Sequence, residues 1–140
     1  MKATDLFNIR KEEFEHRAGS LGVKDGKNLN REFPGKADGT ETERLAYAVA
    51  TELFPYVDRY IDLHSGNDYE RLTPFVYYAG CAKEEVVAMS RKMAEQVDVP
   101  YMVRSAVATG GAYNYAASMG IPSILIERGE MGAWTLEEAR

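Results

Sequence analysis

Cysteine is almost missing from this chain: Cys81 is the only one, so no intrachain disulfide can form and nothing shows adaptation to an oxidising compartment. A cytoplasmic home is the expectation. Also missing is any apolar run approaching the roughly 20 residues that a membrane span needs. Met1 to Arg10 has neither the apolar core nor the small-residue cleavage site of a secretory leader. No block of like charge occurs, because 22 acidic and 17 basic residues are interspersed to a net charge of −5. That balance argues against nucleic acid or an anionic membrane as the main partner. Internal repeats and low-complexity tracts are absent as well. The expectation is a soluble domain that takes a small molecule or peptide.

What is present supports a packed core. With 45% hydrophobic and 11% aromatic residues over 140 positions, the chain has the makings of one globular domain and not of a disordered segment. Residues 1–39 are polar and punctuated by Gly19, Gly22, Gly26, Gly35 and Gly39, which favours loops around one short element, with Lys11 to Arg17 as a brief charged helix. From Thr40 the pattern becomes helical. Thr40 and Glu43 have capping-box spacing, and Leu45, Val49 and Leu53 recur every fourth residue until Pro55 forces a stop near Phe54.

Strand and helix then alternate. Val57 to Leu63 places Val57, Arg59, Ile61 and Leu63 on one face and Asp58, Tyr60, Asp62 and His64 on the other, which reads as a strand with His64 at its C-terminal end. Phe75 to Ala79 reads as a second strand opened by Pro74. The spacing of Val86, Met89, Met93 and Val97 predicts a helix from Lys83 to Val97 with one buried face. Val99 to Val103 is a short strand, and Gly111 to Met119 a helix closed by Gly120. Pro122 to Glu127 is an apolar strand that ends in a carboxylate. Thr135 and Glu138 open a further helix over 134–140. The alternation predicts an α/β fold: a mixed, largely parallel sheet flanked by helices.

Three places have the residue types that chemistry needs. His64, followed by Ser65-Gly66, suits a metal ligand whose ring is held by Asp62; alternatively it is a structural histidine hydrogen-bonded at a strand end. Asn30-Arg31 sits in a Gly- and Pro-flanked loop, where a guanidinium fork beside an amide can clamp a carboxylate. The competing reading is a turn whose asparagines satisfy their own backbone while Arg31 is solvated. Glu127, at the end of an apolar strand, is a candidate general base, or else an ion-pair partner of Arg128 or another basic residue.

Taken in order, Asp25-Gly26-Lys27-Asn28-Leu29-Asn30-Arg31-Glu32-Phe33-Pro34-Gly35, Asp62-Leu63-His64-Ser65-Gly66 and Ile124-Leu125-Ile126-Glu127-Arg128-Gly129 resemble the succinylglutamate desuccinylase and aspartoacylase family of zinc carboxypeptidase-like hydrolases. The resemblance implies that His64 is a zinc ligand, that Asn30 and Arg31 hold the substrate carboxylate, and that Glu127 activates a zinc-bound water. It also implies that Arg17 stabilises a tetrahedral oxyanion and that Tyr113 contacts substrate. One element departs from the family pattern: its His-x-x-Glu motif, which supplies the first two zinc ligands, does not occur in this sequence. The nearest substitute, Glu13-x-x-His16, fits a charged exposed segment better than a ligand pair.

Residues 1–140 are therefore expected to form part of a catalytic domain whose upstream strands and His-x-x-Glu segment are absent. A complete chain is expected to be a zinc-dependent hydrolase of amide bonds next to a free carboxylate, acting on N-acyl amino acids or small peptides, with these 140 residues alone inactive. The alternatives are a zinc carboxypeptidase, or a non-catalytic module that binds a carboxylate ligand or partner. Missing strands would leave a sheet edge and helix faces open, so a homo-oligomer or marginal stability is expected.

Overall fold

The computed structural model describes residues 25–66, 70–129 and 131. Within them lie four strands, β1 (Tyr60–His64), β2 (Phe75–Ala79), β3 (Tyr101–Ser105) and β4 (Ser123–Glu127), and three helices, α1 (Glu41–Ala48), α2 (Glu84–Ala94) and α3 (Ala112–Ser118). The brief helix expected over 11–17, the Glu13-x-x-His16 pair, Arg17 and the helix expected over 134–140 lie outside the described residues. Among the described residues no helix is long and apolar enough to cross a membrane.

The strands form one mixed sheet in the order β1-β4-β2-β3. β1 runs parallel to β4 and β2 parallel to β3, while β2 and β4 are antiparallel. The α/β fold with a mixed sheet is as the alternation of patterns implied. β4, with Ser123, Ile124 and Leu125 buried, occupies the interior, and its apolar run is what a strand covered on both faces requires. Ile124 packs with Val76 of β2 and Ala94 of α2, whereas Leu125 packs with Tyr113 and Ala117 of α3. α2 and α3 therefore cover opposite faces, following the two-residue side-chain period of a strand.

Two details differ from the periodicity argument. The buried stripe of α2 is Val86, Ser90 and Ala94, with Met93 and Val97 only flanking it. Small side chains let the helix approach the sheet, and Ser90 Oγ accepts a hydrogen bond from Ser123 N at 2.9 Å. On β1, Ile61 and Leu63 are 52% and 74% exposed. Among the described residues β1 is an edge strand, and α2 packs on β2 and β4, so within them the apolar face of β1 has no helix over it.

A third cluster joins α1 to α3. Phe33, Ala46, Ala50, Phe54, Ala112, Ala116 and Ile121 are buried together. α1 continues through a wider π turn, Val49–Leu53, into a 3-10 turn, Phe54–Tyr56. Pro55 is tolerated there because it sits in the first positions of the new turn, where no amide donor is needed.

The start of α1 is pinned by charge. Thr40 N donates to Glu43 Oε2 at 2.8 Å, the return bond of a capping box. Lys27 Nζ and Lys36 Nζ lie 3.0 and 3.1 Å from Glu43 Oε1. Asp25 accepts from Thr42 N at 2.9 Å and from Thr42 Oγ1 at 2.7 Å. The Thr40 amide, followed by the two lysines, holds Glu43 down from the ordinary 4.5 to about 2, and the Thr42 hydroxyl and amide hold Asp25 well below the usual carboxylate range. A depressed folded-state pKa gives stability that is fully present above the unfolded value and is lost as pH falls through the folded one. Thermal stability is thus expected to fall between pH 4.5 and pH 2, and Glu43→Gln is expected to flatten that acid limb. Parallel losses in both proteins across this window, followed by calorimetry, would refute the assignment.

Candidate active site

The loop that carries Asn30 and Arg31 is clamped at both ends to the rest of the fold. Its first end is the Asp25–Thr42 contact, and Lys27 adds its ion pair to Glu43. In the middle, Asn28 Oδ1 accepts from Asn30 N at 2.9 Å and caps the 3-10 turn Leu29–Arg31. At the far end Phe33 is buried against Phe54, with ring centroids 6.0 Å apart. Gly35, at φ +79°, lies so close to α1 that a Cβ there would meet the Glu43 carbonyl and the Tyr47 amide. Only glycine combines that backbone conformation with that approach.

A second set of bonds ties the loop to the segment before α3. Phe33 and Gly110 exchange backbone bonds of 3.0 and 3.2 Å, and Thr109 Oγ1 donates to Phe33 O at 3.0 Å. Ala112 N donates to Asn30 Oδ1 at 2.7 Å. The Asn30–Arg31 turn is thereby held over the C-terminal ends of β1 and β4.

Those two ends deliver the ionisable groups. The parallel register sets His64 directly opposite Glu127 and Asp62 opposite Leu125. All of these point to the α3 side, where parallel strands commonly present site residues beyond their carboxyl ends. His64 Nε2 lies 3.2 Å from Asp62 Oδ1, and Nδ1 lies 3.6 Å from Glu127 Oε1. Asn30 Nδ2 approaches Asp62 Oδ2 at 3.1 Å and His64 Nε2 at 2.9 Å. The structure thus brings together His64, Asn30 and Glu127 with Asp62. Arg128, the alternative partner considered for Glu127, donates through Nη1 to Asp98 O at 3.0 Å.

Burial and charge tune this group. The hydrogen bond to Asp62 raises the His64 pKa, with the Asp62 and Glu127 charges adding to it and burial and Arg31 opposing. Burial pushes the Glu127 carboxyl up, aided by Glu70 and Asp62 and opposed by His64. A carboxyl moved up from its ordinary value is better matched to accepting and returning a proton near neutral pH.

The cavity over these groups has a volume of about 630 Å³ and is lined also by Arg31, Phe75, Tyr77, Ser105 and Asn114. Arg31 is exposed and donates through Nη1 to the Asn30 carbonyl at 2.7 Å. Tyr113 is buried, which raises its phenol pKa, and it lines the same cavity. Asn114, not singled out by sequence, donates from Nδ2 to Ser105 Oγ at 3.1 Å and to Val107 O at 3.0 Å. It fixes the 105–107 wall. Its one sequence signal is an amide on the apolar side of α3, where a helix interior has little use for it.

His64 has the orientation of a metal ligand: a carboxylate backs Nε2 and Nδ1 faces Glu127 across the cavity. Among the described residues, however, no group of three His, Cys, Asp or Glu side chains is assembled to hold a metal ion. The described residues therefore fit one imidazole's share of a zinc site and not the whole of it.

The family described as the succinylglutamate desuccinylase/aspartoacylase catalytic domain matches residues 13–140. The N-alpha-acetyl-L-2,4-diaminobutyric acid deacetylase of Halomonas elongata is 47% identical over 51 residues, which is 36% of this chain and 15% of that protein. The crystal structure of a succinylglutamate desuccinylase/aspartoacylase from Rhodobacter sphaeroides superposes with a TM-score of 0.73 at 27% identity, covering 86% of this chain and 36% of that one. The product-bound ectoine utilization protein EutE of Ruegeria pomeroyi gives 0.74 at 29% identity, covering 84% of this chain and 37% of its own. The chain thus spans well under half the length of these relatives.

Proposed function

Since the chain belongs to the succinylglutamate desuccinylase/aspartoacylase catalytic-domain family, we propose that its cavity serves a zinc-dependent deacylase acting on amide bonds beside a free carboxylate, with N-acyl amino acids as substrates. One observation carries this reading. His64 of β1 and Glu127 of β4, 63 positions apart in sequence, line one cavity under the Asn30–Arg31 turn, with Asp62 behind the His64 ring.

In this site Asn30 and Arg31 hold the substrate carboxylate, since the Arg31 guanidinium on the cavity rim offers a planar fork that a lysine ammonium cannot copy. Glu127 takes the proton of the attacking water and returns it to the leaving amine. Asp62 holds the His64 ring, and Tyr113 lines the acyl or side-chain end of the cavity. A zinc ion held in part by His64 would supply Lewis-acid polarisation of the water and the acyl oxygen. Residues 1–140 form part of the catalytic domain, and hydrolysis belongs to the site with its full ligand complement. The 140 residues alone are expected to be inactive. Arg17, the family-implied oxyanion group, lies outside the described residues.

The test is hydrolysis of N-acyl amino acids by the complete enzyme, compared with the same compounds carrying an amidated carboxyl. Free acids are expected to be preferred at least about tenfold in kcat/KM, with most of that preference erased in Arg31→Lys. Equal rates on acid and amide would remove Arg31 from carboxylate recognition. A second reading, a carboxylate-binding module without hydrolysis, draws on the incomplete ligand set among the described residues. Stoichiometric tight zinc binding by the isolated chain, measured by equilibrium dialysis, would rule that reading out.

A further inference from the structure

The order of the strands sets the direction in which a substrate crosses the site. The Asn30–Arg31 turn lies over the ends of β1 and β4, Glu127 ends β4, and β2 is the next strand along. Phe75 is the register partner of Glu127 in the antiparallel β2–β4 pair, and side chains of such partners start about 5 Å apart on the same face. His64 stands on the other side of Glu127. A substrate whose carboxylate is held at the turn and whose amide bond meets Glu127 therefore carries its acyl group onto Phe75.

The surface that receives it is apolar and braced. The Phe75 ring meets Tyr77 edge-on, with centroids 5.0 Å apart and planes at 86°. Tyr77 in turn stacks on Tyr113 at 6.4 Å, and Leu72 and Leu125 line the same cavity. Among the described residues no lysine lines it, and its two arginines are Arg31 and Arg104. Arg104 Nη2 donates to the Gly80 carbonyl at 3.1 Å, past the far end of β2 and roughly 16 Å along the chain direction from Phe75. Its register partner is Tyr78, which packs on the α2 face. Arg71, just before β2, is exposed and outside the cavity lining. The carboxylates nearest the acyl position are Glu127 and Glu70, which share the cavity.

We propose that Phe75, backed by Tyr77, determines acyl specificity: the site takes N-acyl amino acids whose acyl group is uncharged and apolar, and discriminates against dicarboxylic acyl groups. The proposal rests on the deacylase reading above and names the acyl class within it. A second carboxylate at the end of the acyl chain would lose water against aromatic carbon, with two glutamates nearby and no cation to meet it. Burying an unpaired charge is far costlier than burying a methyl group. An uncharged chain gains from the same burial.

Butyryl and succinyl groups have nearly the same length and differ in the terminal carboxylate, so N-butyryl-alanine and N-succinyl-alanine isolate the effect. With the complete enzyme the butyryl compound is expected to be preferred at least about a hundredfold in kcat/KM. Phe75→Lys, which sets an ammonium beside the acyl group, is expected to cut that ratio at least about tenfold, whereas Phe75→Leu should keep it within about threefold. Succinyl hydrolysis as fast as butyryl by the parent enzyme overturns the proposal, as does an unchanged ratio in an active Phe75→Lys enzyme. Calorimetric Kd values for both compounds in the complete Glu127→Gln protein need no turnover, and the butyryl compound is expected to bind at least about tenfold more tightly. Equal affinities there, or no butyryl binding, overturn the proposal. A butyryl preference in binding without hydrolysis of any N-acyl amino acid by the parent would sink the deacylase reading and leave the subsite standing; hydrolysis without a preference would do the reverse.

Discussion

Glu127→Gln is expected to lower kcat of the complete enzyme by about 10²- to 10⁴-fold, the range a positioned general base supplies, or about 3 to 5 kcal/mol of transition-state stabilisation. Glutamine keeps the length and shape of the side chain but cannot take a proton. Glu127 is half-buried opposite His64 in the β1–β4 register, and burial raises its pKa. The acid limb of the kcat/KM profile should therefore stand above the ordinary glutamate value, because the active base form disappears as pH falls through the raised pKa. In the variant that limb should vanish. Since Glu127 enters the chemistry through its proton, His64 geometry should survive the change. Near-normal turnover in Glu127→Gln would sink the general-base role, and unaltered circular dichroism would show that the loss is chemical.

The second large effect is on stability. Phe54→Ala is expected to cost about 3 to 5 kcal/mol, the range for deleting a buried phenylalanine, against a total domain stability of about 5 to 15 kcal/mol. Phe54 is 1% exposed and its ring is the hub of an aromatic cluster, with centroids 6.0 Å from Phe33, 5.1 Å from Tyr60 and 6.3 Å from Tyr115. Each neighbour leads to the site: Phe33 anchors the Asn30–Arg31 loop, Tyr60 starts the strand that ends in His64, and Tyr115 belongs to α3. The cavity left by alanine would loosen all three supports together. Urea unfolding measures it. A loss under about 1 kcal/mol would mean that the cluster collapses around the gap, at odds with a close-packed hub. Phe54→Leu, which fills most of the volume, should lose less than half as much.

Much of this was readable from local pattern. β2 begins and ends at Phe75 and Ala79 as the β-branched and aromatic run suggests, and α1 opens at the Thr40–Glu43 box. β4 ends on Glu127 as its apolar run implies. Such features follow from periods of two and 3.6 and from turn chemistry, which are properties of neighbours in sequence. Less readable were the ends that depend on distant partners. α1 runs into a π turn, because Phe54 must reach Phe33 and Tyr60 across the domain. The buried stripe of α2 centres on Ser90 and Ala94 and not on Met89 and Met93, because closeness to β4 rewards small side chains.

The candidate site divides in the same way. His64, Asn30, Arg31 and Glu127 stand out in the sequence because each is a polar or ionisable residue at the end of a strand or in a Gly-flanked turn. Asn114 and Ser105 do not stand out, because their role is to fix a wall through contacts that a linear pattern does not encode.

By itself the sequence determined which chemistry is on offer, the alternation of strand and helix, and the family to which the motifs point. Tertiary structure alone decided who faces whom. The parallel β1–β4 register sets His64 against Glu127, and the latch from the 25–35 loop to the start of α3 turns the Asn30 amide onto Asp62 and His64. The physical reason is that hydrogen bonds and ion pairs reach only about 3 to 4 Å, so residues more than 30 positions apart become one site only when packing brings them within that range.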